Sequence, residues 1–327
     1  MLGGSARSGL RFAALLICAN VPAFGQTVGI LTVAEGGVVL VRGSTTYTAG
    51  QGVAVQNGDM LATDPKGQAQ IEFDDGAILN LSRGSHALLL APQAAGDPGV
   101  ALQSGWVKFS RAKAAKGKPF RYIAPLARLS TAGATGVLRI GQSATELFVE
   151  SGAARFVELS PSGAPGAGRD LRGGEFIVRR DGLPLAVAPR PSADFVKAMP
   201  VYFRDDLPAF LPRVRNRNAE PRREHEATYA EVEAWLKASQ PLRRGFVERF
   251  QGRAKDPQFR SKLVENLAAH PEWDPILFPE KYEEKKKKKE EAEKAEKERA
   301  EKEKAEKARA EKEKAEKEKA QSTDKVQ

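Results

Sequence analysis

Cysteine is almost absent from this chain of 327 residues, which has a single one, Cys18, near its start. The rest of the chain therefore has no disulfide, thiol nucleophile or cysteine metal ligand, and burial of apolar surface must hold the fold together. Long apolar runs are missing as well. After Gln26, no apolar stretch approaches the roughly 20 residues that a membrane helix needs. We therefore expect no integral membrane segment in the mature chain.

The motifs of common catalytic and cofactor sites are also missing. The chain has three histidines, far apart in sequence: His86, His225 and His270. No second histidine follows His225 at the spacing of a zincin, and Gly117-Lys118-Pro119 lacks the Ser or Thr of a P-loop. We therefore predict no catalytic residue, no cofactor and no metal, and the binding residues stay unknown. A carbohydrate-active enzyme with an unfamiliar pair of carboxylates is a third alternative for the function.

The first 25 residues have the pattern of a signal peptide. Two arginines precede an apolar stretch at 12–19 that is too short to cross a bilayer, and Ala23-Phe24-Gly25 fits a cleavage site. We expect export by the Sec route to the periplasm, with a mature chain that begins at Gln26. Lipidation at Cys18 is disfavoured, because Ile17 is bulky where a lipobox needs a small residue.

Short apolar runs separated by glycine and aspartate follow Gln26, and this pattern predicts a ladder of β-strands. The runs that carry it best are Val28–Gly43, Gly58–Thr63 and Ala69–Leu81. Their order and spacing resemble the FecR family, which is built around G-x-V, G-D-x-L-x-T and A-x-I-x-F-x-D-G. The resemblance implies a periplasmic β-domain without catalytic chemistry, and we expect a β-sandwich or short solenoid over residues 26–190.

Further strand signals lie within the same region. Alternation over Trp106–Phe109 predicts a half-buried strand. We expect residues 26–190 to form one cooperative unit, separable from the helices beyond Pro191.

Aspartates lie beside the predicted turns, at Asp59, Asp64, Asp74 and Asp75. They are either a cluster that binds Ca²⁺ or a substrate, or side chains that bond to the backbone of their own turns. The turn interpretation is favoured, because the chain has no loop with the ligand spacing Asp-x-Asp-x-Asp.

The sequence pattern changes to a helical one after residue 190. We expect a linker rich in Pro and Arg over 191–223 and a small helical module over 224–282. Ser192 begins a capped helical turn, Thr228 and Glu231 form a capping box, and Asp256-Pro257 starts another helix. Trp273–Phe278 is expected to fold back as a lid on the module.

The tail, residues 283–327, is strongly charged. Between Glu283 and Ala320 it has only 14 Glu, 16 Lys or Arg and 8 Ala. Alanine recurs every five residues and so spirals around a helix, which gives no seam for a stable coiled coil. We predict a solvated helix of about 55–60 Å that acts as a spacer, with a disordered tail as the alternative. Glutamates flank the lysines of Lys285–Lys289, so we expect no nucleic-acid partner.

The formal net charge of the chain is +10. Outside Glu283–Ala320 and the predicted signal peptide, 34 basic residues face 28 acidic ones, and this mild excess allows peripheral contact with an anionic envelope surface. We expect an exported, non-enzymatic protein that binds or scaffolds an envelope protein or polymer. The alternative, implied by the FecR resemblance, is a regulator that senses a transporter signal and passes it to a sigma factor.

Overall fold

The computed structural model describes residues 25–90, 98–112, 118–141 and 143–323, with side chains described as far as residue 304 and for Lys307. The predicted signal peptide, including Cys18, lies outside the described residues apart from Gly25. The chain divides into two compact units, Met1–His225 and Glu226–Gln327. Within the described ranges, the helices are all too short or too polar to cross a bilayer.

Strands dominate the first unit, as the sequence predicted. Sixteen strands in the described ranges join into one hydrogen-bonded mixed sheet. They are β1 (Thr27–Glu35), β2 (Val38–Arg42), β3 (Thr45–Thr48), β4 (Ala54–Gln56), β5 (Met60–Thr63), β6 (Gln68–Phe73), β7 (Ile78–Leu81), β8 (His86–Leu90), β9 (Gly99–Arg111), β10 (Phe120–Ala124), β11 (Ala127–Ile140), β12 (Ala144–Leu159), β13 (Pro165–Arg172), β14 (Phe176–Arg180), β15 (Ala186–Ala188) and β16 (Arg222–Glu226). Strand β9 pairs with β10 in parallel and with β7, β8 and β11 antiparallel.

One large apolar core lies against this sheet and draws buried residues from β1, β2 and β4 through β14. Leu31, Ile71, Leu79 and Phe109 are among its fully buried members. Alternate residues of each strand point to the same face, so the short apolar runs of the sequence converge there.

Glycine is required where strands approach each other closely. Gly152 has a φ of +80°, and a Cβ added there would lie 2.3 Å from the main-chain oxygen of Gly133. Gly105 has a φ of +100°, and its Cβ would lie 2.2 Å from Oγ of Ser85. A side chain at either position is excluded both by backbone conformation and by space.

A second, smaller apolar cluster covers part of the outer face of the sheet. The helical segments of this unit are α1 (Ala193–Ala198), a 3₁₀ turn (Val201–Phe203) and α2 (Leu211–Val214). The predicted cap at Ser192 is confirmed, since its hydroxyl accepts a hydrogen bond from the amide of Phe195 at 3.2 Å. Phe195 packs 4.9 Å from the rings of both Trp106 and Phe176, and Phe203 is fully buried beside them.

The segment predicted as a linker contains regular structure. Val214 is buried in α2, and β16 pairs with β3 at the edge of the sheet. Arg217 donates to Gln51 at 2.7 Å, and Thr48 donates to Glu224 at 2.7 Å. These partners lie 166 and 176 positions away in sequence, so local composition gave no sign of them. The domain boundaries drawn from the sequence stay predictions.

The second unit is helical. Its elements are α3 (Tyr229–Leu236), α4 (Gln240–Arg243), α5 (Phe246–Phe250), α6 (Pro257–Glu265), α7 (Asp274–Leu277) and α8 (Pro279–Thr323), with 3₁₀ turns at Gln251–Lys255, Leu267–Ala269 and Pro271–Trp273. The capping box of Thr228 and Glu231 is confirmed, and so is the N-cap at Asp256. Trp273 and Leu277, from the predicted lid, are buried.

The charged tail is helical, as predicted, within α8. Its 45 residues give a length of about 68 Å at 1.5 Å per residue. Side chains from Glu283 to Lys304 are all exposed. Lys307 contacts Glu303 at 2.6 Å, an i,i+4 pair that supports an exposed helix.

Deleting residues 283–327 is expected to shift the melting temperature of the remaining chain by less than about 2 °C, because exposed charged side chains contribute little to unfolding free energy. Differential scanning calorimetry measures this. Trp273→Ala is the matched positive control, since removal of a fully buried indole costs about 3–5 kcal/mol. A tail deletion that destabilised the chain as much as Trp273→Ala would show that the tail packs on the body.

Candidate functional site

Four buried polar side chains share one face of the sheet, and we call them the polar strip: Gln70, Glu72, Asn80 and Lys108. Gln70 is the register partner of Asn80, and Asn80 is the register partner of Lys108, so these three lie across β6, β7 and β9. Glu72 lies two residues beyond Gln70 and therefore on the same face. A segment of the same chain, Phe203–Leu211, covers the strip, and we call this segment the strap.

Lys108 holds the first part of the strap. Its ammonium donates to the main-chain oxygens of Phe203 at 2.7 Å and of Asp205 at 2.8 Å. Its third partner is the carboxylate of Glu150 on β12, 2.8 Å away. Lysine has three donors, so the buried charge of Lys108 is fully satisfied only while the strap is in place.

Gln70 and Glu72 hold the remainder of the strap. The side-chain amide of Gln70 donates to the main-chain oxygen of Pro208 at 2.8 Å. The two carboxylate oxygens of Glu72 accept from the backbone amides of Phe210 at 2.6 Å and Leu211 at 3.0 Å. Two adjacent amides at the start of α2 are thus bound by one carboxylate, as in a helix N-cap.

The contacts of the strip with the strap go to main-chain groups. Three carbonyls and two amides of the strap are bound, whereas the side chains of Arg204, Asp205 and Asp206 are exposed. Such a surface recognises main-chain groups more than a particular sequence. Chemically, it is suited to holding a peptide segment.

The four aspartates of the predicted turns have separate partners. Asp59 is buried and forms a two-pronged ion pair with Arg42, at 2.9 and 2.7 Å, and this hydrogen bonding raises the pKa of Arg42 above its ordinary value. The side chain of Asp64 accepts from the amides of Gly37 and Lys66, and that of Asp75 accepts from the amide of Ala77. The interpretation as turn-stabilising side chains is confirmed for these two residues.

Asp74 is exposed beside Asp75. Among the described residues, no three His, Cys, Asp or Glu side chains lie close enough together to hold a metal ion.

The three histidines are not brought together. His86 contacts Ser104 at 2.9 Å on β9, and His225 is exposed in β16. His270 is fully buried in the second unit, with Nε2 3.1 Å from the hydroxyl of Tyr229. Burial lowers the pKa of His270 below its ordinary value and raises the pKa of Tyr229 to about 12.

Stability of the helical unit is expected to fall as pH decreases from 7.5 to 5. The folded state holds His270 with a lowered pKa, so below about 6.5 the unfolded state binds more protons and is favoured. Urea unfolding at several pH values measures the slope. His270→Gln should flatten it, whereas the exposed control His225→Gln should not. Identical slopes in wild type and His270→Gln would contradict the expectation.

Sequence reasoning missed the polar strip. The strand predicted at Trp106–Phe109 lies within β9, but Lys108, on the face expected to meet solvent, is covered by the strap. One local signal was available: Gln70 and Glu72 are polar residues two positions apart within a strand whose remaining residues are mostly apolar.

Comparisons with known proteins bear on the same region. Residues 59–155 match the family model described as FecR protein, so the resemblance is confirmed there and the chain contains a FecR domain. This segment includes Gln70, Glu72, Asn80, Lys108 and Glu150, whereas the strap lies outside it. No curated protein matches the chain.

Two crystal structures of a "putative anti-sigma factor" from Parabacteroides distasonis are similar to part of the chain. Their sequences are 17% and 16% identical over 42% of this chain, and both have a TM-score of 0.36. The match covers 63% and 62% of those chains, so this chain spans less than two thirds of their length.

Proposed function

We propose that this protein is an exported, non-enzymatic FecR-like protein of the periplasm that binds or scaffolds an envelope protein or polymer. The observation that carries the proposal is the FecR match over residues 59–155. The signal-peptide pattern of residues 1–25 supports export. The carboxylates of Asp59 and Glu72 hold an arginine and the strap, which supports a structural role for them.

A regulatory role is the second candidate, and the same FecR match favours it. In that role the periplasmic domain receives a signal from an envelope transporter and the response passes to a sigma factor. The exposed helix α8 gives reach in either role, because it extends about 68 Å at 1.5 Å per residue.

Chemical crosslinking in cells, followed by purification of the full chain from an envelope fraction, separates these roles. A transporter among the crosslinked proteins favours regulation, and peptidoglycan or a stable protein complex favours scaffolding. A known envelope complex serves as the positive control for the crosslinking. If that complex is captured but this chain is recovered alone, the proposed function is rejected.

Export is tested on the same purified protein. Mass spectrometry of the N-terminus is expected to find Gln26 as the first residue. A lipid-modified Cys18, or an intact Met1, would contradict processing after Gly25.

A further inference from the structure

We propose that the polar strip is a peptide-binding surface for a segment of a protein partner, and that the strap is its exchangeable occupant in the free protein. This inference rests on the proposed function, because it assigns the partner-binding site of a non-enzymatic binding protein. It names the occupant as a peptide of stated chemistry and not a polymer surface.

The polar strip contacts main-chain groups of the strap. Lys108, Gln70 and Glu72 bind the strap through three carbonyls and two amides spread over nine residues. Every peptide has these groups, so another chain that follows the same backbone path can satisfy the same side chains.

The middle of the strap is irregular. Residues 205–210 have no regular secondary structure, and Pro208 and Pro212 prevent a long helix there. A segment without internal backbone hydrogen bonds loses few of its own bonds when it leaves the sheet. A partner peptide that offers the same main-chain groups, and an aromatic side chain in the place of Phe203, replaces the contacts that are lost when the strap leaves.

The side chains of the strap indicate the chemistry of the partner peptide. Phe203 is the fully buried side chain of the strap and packs in the cluster that contains Phe195 and Val137. Between Phe203 and Phe210, the residues at 204–206 and 208–209 are exposed. The site therefore fits a peptide with one aromatic anchor, a polar continuation without regular secondary structure, and two adjacent backbone amides that face Glu72.

The polar side chains of the strip are costly to bury. Buried Lys, Glu and Gln side chains pay a desolvation cost that apolar residues of similar size would avoid. Glu150 and Thr32 offset part of this cost, and the main-chain groups of a bound backbone offset more of it. The strip is therefore complementary to a bound peptide and poorly suited to being covered by apolar side chains.

The probe is a fluorescent synthetic peptide with the sequence of residues 201–214, added to the full chain. Phe203→Ala weakens the strap of the protein and should lower the dissociation constant of the peptide at least tenfold relative to wild type, by fluorescence anisotropy. Val201→Ala is the matched control, because Val201 lies two residues away and is 70% exposed. Equal affinities for Phe203→Ala and Val201→Ala would overturn the proposal.

A second substitution tests whether the peptide binds at the strip. Glu72→Gln, introduced into Phe203→Ala, keeps the shape of residue 72 but replaces one accepting oxygen with the NH2 group of a side-chain amide, which cannot accept from a backbone amide, and should weaken binding at least tenfold. Asp74→Asn is the control, because it removes the same charge from an exposed neighbour. Unchanged binding in the Glu72→Gln protein would also overturn the proposal.

Two further readouts keep the result interpretable. Circular dichroism shows whether the Phe203→Ala protein keeps its sheet. If it does not, Phe203→Leu takes its place in the binding experiment, and we again expect the peptide to bind it more tightly than it binds Val201→Ala. Sedimentation of the wild type and Phe203→Ala should find monomers. A dimer that the peptide dissociates would show that the occupant is the strap of a second copy, and would overturn the assignment to a partner protein.

Crosslinking of the wild-type and Glu72→Gln chains in cells tests the proposed function separately, because it measures whether each chain captures a partner. A partner captured equally by both chains would overturn the peptide site and leave the proposed function standing. Tight, Glu72-dependent peptide binding with no captured partner would leave the site standing and reject the proposed function.

Discussion

Replacing Lys108 with methionine is expected to lower the free energy of unfolding of the β-rich unit by about 3 kcal/mol. The substitution keeps the apolar stem but removes the ammonium that binds Phe203, Asp205 and Glu150. Two carbonyls then lose their donor, and one carboxylate loses its counter-charge. Loss of one partner of a fully buried ion pair costs about 3–5 kcal/mol, and Glu150 is 22% exposed, so we expect the low end.

Urea unfolding followed by circular dichroism measures this effect. Lys66→Met is the matched control, because Lys66 is exposed and its substitution should change stability by less than about 0.5 kcal/mol. Adding Glu150→Gln to Lys108→Met should recover part of the loss, since the unpaired charge is removed. A loss below 1 kcal/mol for Lys108→Met would mean that the strap does not depend on Lys108.

Truncation is expected to have the second large effect. A fragment of residues 26–225 should unfold in a single transition, whereas a fragment of 26–190 should be largely unfolded or molten. The longer fragment keeps the residues that structure assigns to the first compact unit. The shorter one loses Phe195, Phe203 and the partners of Lys108, which together contribute on the order of 6–9 kcal/mol. That is comparable to the whole stability of a typical domain, about 5–15 kcal/mol.

Near-ultraviolet circular dichroism and calorimetry of the two fragments give the result. A fragment of 26–219 is the useful intermediate, because it keeps the strap and α2 but lacks β16. We expect it to behave like 26–225. If 26–190 unfolds cooperatively at the same temperature as 26–225, the boundary drawn from the sequence at residue 190 is correct and the strap contributes little.

Much of the fold could be predicted from local sequence. Apolar runs between Gly and Asp turns correctly predicted a mainly β region, because strand periodicity and turn chemistry are local properties. Ser192, Thr228 and Asp256 were correctly predicted as helix caps for the same reason: a cap bonds to an amide only two or three residues away. The helical tail followed from its composition and its i,i+4 pairs.

The candidate site could not be predicted in the same way. Lys108 and Glu150 are 42 positions apart, and the carbonyl partners of Lys108 lie 95 and 97 positions away. A lysine beside apolar residues on a strand normally marks the solvent face, so its burial depends on a segment that no local pattern connects to β9.

The sequence alone determined the strand and helix content of this protein, its turns and caps, the FecR resemblance and the exposed character of the tail, since each depends on neighbours within a few residues. Only the tertiary structure decided which face of the sheet is covered, that residues 203–211 cover it, and that Gln70, Glu72 and Lys108 share the bound backbone. The physical reason is that burial and pairing of polar groups depend on where distant segments pack, and that is a property of the folded chain.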